Sequence, residues 1–318
     1  MMNSIFINLI SFRKLSITLI WILFSFLLFA SCSSKSEKIQ AQLPQSPSPM
    51  EEHIRKHDRI IDTISTGKQI ILEDILSKPI TLYIPEALEN AIQFDILIHF
   101  HGAAFVPKHA VNQLHKPIVL AVVNQGSGSS AYEKPFQDTM MFDNLIKKIN
   151  EETTKITSAN RIDKIYCSAF SAGYGAIRAL LKSHFERIDG ILLLDGLHTD
   201  YIPDKTPLAK GGELNTTKLQ GFLAFAKQAI EGNKKMLITH SEIFPGTYAS
   251  LTETTEWLIN ELHLKRIPIL EWGPGGMQQI ADSKSGQFQV KTFVGNTAPD
   301  HIDHFHGMTE FLNFFWED

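Results

Sequence analysis

The residues best suited to chemistry lie in Ile165–Leu181, IYCSAFSAGYGAIRALL. An apolar, β-branched run, Asp163-Lys164-Ile165-Tyr166-Cys167, ends in small residues around Ser171, and the chain then changes to helical spacing, with Ile177, Leu180 and Leu181 on one face. A strand, an abrupt turn of small residues with a central serine, and a helix together push a hydroxyl out over the end of a sheet. The positions two before and two after the serine must be small, because side chains would collide in so tight a turn. Here they are Ala169 and Gly173, so the pattern reads A-F-S-A-G, with alanine where glycine is usual. A serine nucleophile is the leading hypothesis. Such a hydroxyl is weak by itself and needs an imidazole to take its proton, a carboxylate to orient that imidazole, and N–H donors for the developing oxyanion.

The chain contains residues for each role. The C-terminal segment Pro299-Asp300-His301-Ile302-Asp303-His304-Phe305-His306-Gly307-Met308 holds three histidines. Ile302, Phe305, Met308, Leu312 and Phe315 recur at helical spacing, which predicts a final helix beginning near residue 302. Two acids follow apolar runs: Asp195, at the end of ILLL in Asp195-Gly196-Leu197-His198, and Glu242, in Thr239-His240-Ser241-Glu242. An acid that ends an apolar strand has few uses besides hydrogen bonding or catalysis, which inclines the choice towards Asp195 and leaves Glu242 as the alternative. The histidines His99, His101, His301, His304 and His306 also raise the question of a metal. No H-E-x-x-H motif or cysteine pair accompanies them, so no metal site is expected.

The elements that must position these residues alternate along the chain. Gln69–Leu72 and Ile80–Ile84 read as two strands joined by a turn, an antiparallel start. Phe94–Phe100 and Ile118–Val123 are apolar enough to be buried on both faces. A helix around Thr139–Asn150 leads to the strand before Ser171. Strands at Ile188–Leu194, Lys235–Thr239 and Phe288–Val294 follow, with helices around Thr216–Glu231 and Thr252–Leu262 and at the C-terminus. Strands separated by helices predict an α/β fold, a mostly parallel central sheet with helices on both faces. The Gly/Ser-rich segment Gln125–Ser130 lacks the lysine and spacing of a phosphate-binding loop. It is expected at the carboxyl end of the sheet, together with the loops Phe244–Tyr248 and Trp272–Gly276. Only a short insertion fits between Gly190 and Lys235, which predicts an open pocket.

This order of elements, with a serine turn after a central strand, His101-Gly102 after an earlier one and histidines at the end, resembles the α/β-hydrolase superfamily, notably its serine esterases and lipases. The resemblance covers roughly residues 69–316. It implies a nucleophile at Ser171 and an oxyanion hole made by the backbone N–H groups of Ala103 and Ala172. The acid is expected after the sixth or seventh strand, at Asp195 or Glu242. The histidine of that family sits just before the last helix, which favours His301 over His304, with His306 more peripheral. No cofactor is implied.

The N-terminus is of another kind. Arg13 and Lys14 precede an apolar run from Leu15 to Leu28, broken only by Ser16, Thr18 and Ser25, and Phe29-Ala30-Ser31-Cys32 follows. A basic stretch, an apolar core and small residues describe a secretory signal, with an uncleaved membrane anchor as the alternative. Cys32 after Ala30-Ser31 resembles the lipobox of bacterial lipoproteins, with Phe29 where leucine is preferred, and this implies lipidation of Cys32. Residues 1–31 are therefore expected to be the signal peptide. Residues 32–50, rich in Ser, Pro and Gln, are expected to be a flexible tether, and residues 51–318 the hydrolase domain. The other cysteine, Cys167, falls in a buried strand, so no disulfide is expected in the mature domain.

In the full 318 residues, 43% are hydrophobic and 20% charged, enough for a sizeable core. A formal net charge of -4 gives no reason to expect a nucleic-acid partner. The expected protein is a serine hydrolase of the bacterial cell envelope, lipid-anchored and facing the periplasm or the exterior, that cleaves a small-molecule or polymer-linked carboxylic ester. A peptidase or amidase with the same triad, and a non-catalytic binding lipoprotein on the same scaffold, are the alternatives.

Overall fold

The computed structural model describes residues 55–63 and 66–316. The expected signal peptide, Cys32 and the expected tether lie outside the described residues. The chain opens with the antiparallel pair β1 (Lys68–Leu72) and β2 (Ile80–Ile84). It then alternates: β3 (Gln93–Phe100), α1 (Phe105–Leu114), β4 (Ile118–Val123), α2 (Ser129–Glu133), α3 (Thr139–Thr154), β5 (Arg161–Phe170), α4 (Tyr174–Ser183) and β6 (Gly190–Leu194). The short insertion after β6 is a two-stranded hairpin, β7 (Tyr201–Ile202) with β8 (Glu213–Leu214), followed by α5 (Gln220–Ile230). The rest comprises β9 (Lys235–His240), α6 (Leu251–Glu261), β10 (Ile267–Trp272), β11 (Gln278–Ser285), β12 (Phe288–Phe293), α7 (Ala298–His306) and α8 (Met308–Trp316).

One large sheet runs in the order β1-β2-β4-β3-β5-β6-β9-β12-β11-β10. The six strands from β4 to β12 are parallel to one another, and the outer pairs at both ends are antiparallel. The parallel strands are apolar throughout because helices cover both faces: every residue of β4 and of β6 is buried. The expected α/β-hydrolase fold is the fold observed. From β3 the chain steps outward to β4, then returns past β3 to β5, so the order reverses at β3 and β5. Open parallel sheets place their sites at such a reversal, at the carboxyl ends of the strands.

The C-terminus differs from its sequence expectation. The final helix is two helices broken at Gly307, and the first begins at Ala298 rather than near 302. A capping box explains the early start. The Thr297 hydroxyl accepts from the Asp300 N–H while the Asp300 carboxylate takes the Thr297 N–H, with Pro299 in the first turn. Phe305, Met308, Phe311, Leu312 and Phe315 are buried, whereas Ile302 points outward. Apolar spacing alone could not detect the capped polar turn before it. Sequence analysis also missed the β10–β11 arm, because β10 carries its apolar side chains to the solvent at the sheet edge.

Histidines buried in this sheet are structural groups with a thermodynamic signature. Nδ1–H of His240 donates to the Ser241 carbonyl, and its Nε2 accepts from the Thr292 hydroxyl. Nε2–H of His99 donates to the His101 carbonyl, and its Nδ1 accepts from Ser168. Burial pushes His240 down to about 4 and His99 down to about 3. Both are neutral in the fold and become protonated on unfolding once the pH falls below the ordinary histidine value. Their stabilisation is therefore complete above that value and is lost as pH falls from it towards 4, at about 1.4 kcal/mol per pH unit per histidine. Urea unfolding between pH 7 and pH 4.5 should show this decline. A His240→Asn variant, less stable at pH 7, should have a slope shallower by about one histidine's share.

Candidate active site

Strand β5 runs into a single 3-10 turn, Ser171–Gly173, from which α4 starts. Ser171 has φ 47, a left-handed conformation that costs an ordinary residue about 1–2 kcal/mol. Packing around the turn holds it there. A side chain at Gly173 would lie 2.1 Å from the Phe100 carbonyl oxygen at the end of β3, and one at Gly196 would lie 2.4 Å from the Ser171 carbonyl oxygen. Ala169, the departure from the usual glycine, is wholly buried between β3 and β6, opposite Phe100 and Leu193. Its methyl group fits.

The other residues converge on this turn. Asp195 follows β6 directly, with φ 45, and its side chain is 1% exposed. The carboxylate accepts from the Ser241 N–H at 2.7 Å, from the Ser241 hydroxyl at 2.9 Å and from Nδ1–H of His301 at 2.5 Å. With the proton on Nδ1, the Nε2 of His301 carries a lone pair. Its ring packs on Phe170, the residue before Ser171, at 4.6 Å between centroids. Gly196, the residue after Asp195, packs on the backbone of Ser171. His301 and Asp195 are thus bonded to each other, and both pack beside the serine turn, His301 on Phe170 and Asp195 through the adjoining Gly196.

Burial alone would raise the Asp195 carboxyl. His304, the hydrogen bond and charge of His301, and the Ser241 N–H act the other way and hold it well below the ordinary carboxylate range. Burial pushes His304 itself down to about 4, so near neutral pH it is uncharged and the lowering rests on His301 and Ser241. Asp195 remains an anion that can stabilise an imidazolium.

The alternatives lie elsewhere. His304 is buried, with Nδ1 bonded to the Thr239 hydroxyl at 2.9 Å. The early start of α7 puts His301 inside its first turns and rotates His304 towards β9. Glu242 is exposed, and its N–H donates to Gly295. Its side chain bonds neither histidine among the described residues, because Ser241, not Glu242, is the residue that meets the end of β6. Nδ1 of His306 accepts from the N–H of Ile60. His99, His101, His301, His304 and His306 are each held by a different bond and do not form one cluster.

The loop after β3, expected to supply an oxyanion donor, is braced from several sides. His101 has φ 74, and its Nδ1 bonds the Tyr132 hydroxyl at 2.7 Å. Asn124 donates to the Gly102 carbonyl. Gly102 has φ 115, and a side chain there would strike the ring of Phe305 at 2.5 Å. Ala103 lies just before Ala104, the N-cap of α1, and so ahead of the backbone bonds within that helix. Ala172, second in its 3-10 turn, is also too early to donate within that turn. A cleft of about 370 Å³ opens at Ser171 and Ala172, lined also by Ser129, Tyr174, His198 and Tyr248. Of the loops singled out in the sequence, the Gly/Ser-rich segment and Phe244–Tyr248 reach this cleft. Trp272 ends β10 instead and is exposed. Ser241 and Phe170 carried no sequence signal for their roles. They are recognised only through the pairing of β6 with β9 and the contact of β5 with α7.

No protein-family model matches the chain, and no curated protein matches it in sequence. Solved structures do. A thermostable esterase shares 15% identity at a TM-score of 0.43, over 78% of this chain and 60% of the length of that one. An S-formylglutathione hydrolase from Agrobacterium tumefaciens shares 11% at 0.43, over 82% and 98%. The feruloyl esterase module from Clostridium thermocellum shares 10% at 0.46, over 83% and 97%.

The crowding at the serine turn is measurable. Gly196→Ala should destabilise the protein by about 1–3 kcal/mol in urea unfolding, because backbone rather than a flexible side chain must yield.

Proposed function

We propose that this protein is a serine hydrolase that cleaves carboxylic esters through Ser171, His301 and Asp195. The observation that carries the reading is the hydrogen bond from His301 to the buried Asp195 carboxylate, set beside a serine held at positive φ over the end of a parallel sheet. In the first step His301 Nε2 takes the Ser171 proton as Oγ attacks the acyl carbon. The oxyanion is met by the N–H groups of Ala103 and Ala172, and the Asp195 carboxylate balances the imidazolium. When the tetrahedral intermediate collapses, the ester C–O bond breaks, and His301 passes its proton to the departing alkoxide. A water then attacks the acyl-enzyme, His301 takes its proton, and collapse returns that proton to Ser171 Oγ as the carboxylic acid leaves.

The reading extends to the N-terminus: Cys32 carries a lipid, and residues 32–50 tether the hydrolase to a bacterial envelope membrane, facing the periplasm or exterior. What supports this is the sequence from Arg13 to Cys32. The ester is a small molecule or a group on a polymer, admitted by an open cleft of about 370 Å³.

A fluorophosphonate probe should label the wild-type protein, and Ser171→Ala should abolish both labelling and hydrolysis of p-nitrophenyl acetate. His301→Asn and Asp195→Asn should lower kcat by about 10⁴-fold, and Glu242→Gln should leave it unchanged. Labelling that persists in Ser171→Ala would sink the hydrolase reading, and faster turnover of matched amides than esters would reassign it to an amidase. For the anchor, an alkyne fatty acid fed to expressing bacteria should enter the wild-type protein and not Cys32→Ala. Equal incorporation in both would remove the lipid anchor from the scheme.

A further inference from the structure

Helix α7 carries His301 on one face, and a charged cluster that catalysis does not use holds the other. Asp303 lies two residues after His301, about 200° round the helix, and its side chain is only 4% exposed. An anion so buried needs cationic partners, since removing them leaves an uncompensated charge away from water. They come from the irregular segment that precedes the sheet. Arg55 and Arg59 both pair with the Asp303 carboxylate, and His57 Nδ1 reaches it at 2.8 Å. Arg55 also bonds Asp300 at 3.1 Å and the Gly275 carbonyl at 3.2 Å, and Arg59 donates to the Pro299 carbonyl at 2.9 Å. The N–H of Ile60 closes the row on His306. Residues 55–60 therefore bond Pro299, Asp300, Asp303 and His306, four of the nine residues of α7.

His57, Asp300 and Asp303 bring ligand atoms within 4.8 Å of one another. The two guanidinium groups already supply the positive charge, and a divalent ion would have to displace them. The cluster reads as a clamp. Among the described residues, α7 meets Asp195 through one side-chain hydrogen bond, from Nδ1 of His301, and is seated beside it by the His304–Thr239 bond and the stacking of Phe305 on Phe170 and His99. A nine-residue helix broken at Gly307 has little rigidity of its own.

We infer that residues 55–60 form a strap whose Arg55 and Arg59, through Asp303, are positioning residues that hold α7 in the register at which His301 meets Asp195. This rests on the proposed role of His301. The strap lies ahead of the first strand in the chain, so a segment outside the sheet takes part in the site.

The test uses full-length protein. The double variant Arg55→Ala/Arg59→Ala should lower kcat for p-nitrophenyl acetate by about tenfold to a hundredfold, with KM within about twofold. The rate of Ser171 labelling should fall in parallel. The low-field proton resonance of His301 Nδ1–H, assigned by its loss in His301→Asn, should broaden or move. Arg55→Lys/Arg59→Lys, which keeps the charge without the planar fork, should recover part of the loss. Unchanged kcat and labelling, or an unmoved resonance, in the alanine pair would overturn the proposal. If that pair does not fold, Arg55→Ala alone retains the Arg59–Asp303 pair. It should still lower kcat by at least about threefold, and no change there overturns the proposal equally. Absence of any labelling in the wild type would instead refute the hydrolase reading, and the His301 resonance would still report whether the strap holds α7.

Discussion

One buried carboxylate ties the site together. Asp195 is almost without solvent contact, and an anion in that position persists only if donors surround it. Those donors come from two places far apart in sequence: the backbone and hydroxyl of Ser241 after β9, and the imidazole of His301 on α7. Satisfying this one group fixes the ends of two neighbouring strands and the face that the C-terminal helix presents. The positive φ of Asp195 belongs to the same arrangement, because it turns the chain so that Gly196 can pack directly on the backbone of Ser171.

The serine turn is held in a similar way, by contacts that leave no room for alternatives. Its left-handed residue would relax in an isolated peptide. Here the end of β3 presses on Gly173, and the turn after β6 presses on Ser171. An aromatic column extends this packing: His101 stacks on Phe170, Phe170 on Phe305 and Phe305 on His99. The loop after β3, the serine turn and α7 share one contact surface, so a shift in any of them is transmitted to the others. Arg55 and Arg59 act on the far side of that surface, where they balance a second buried acid on the same helix.

Much of this was legible in the residues. Apolar runs marked β3, β4, β6 and β9 to within a few positions, because strands buried on both faces have few options in composition. The serine turn was legible because its steric demand restricts residue type. The histidine and the acid were legible only as short lists. The choice between His301 and His304 depends on the rotation of α7, which a capped polar turn starting at Thr297 sets and an apolar count passes over. The choice between Asp195 and Glu242 depends on the register of β6 against β9, where Leu194 lies opposite Thr239 and Ser241 therefore meets the Asp195 carboxylate.

The sequence by itself determined the elements and the serine turn, since local sterics and apolar patterning act between residues close along the chain. It also supplied the signal-like N-terminus, which is a matter of composition. Tertiary structure alone decided which histidine and which acid stand together, and it revealed the strap of residues 55–60 across α7. Those relations join residues 106 and about 245 positions apart, and no local preference can encode a contact that exists only once the sheet has brought its strand ends together.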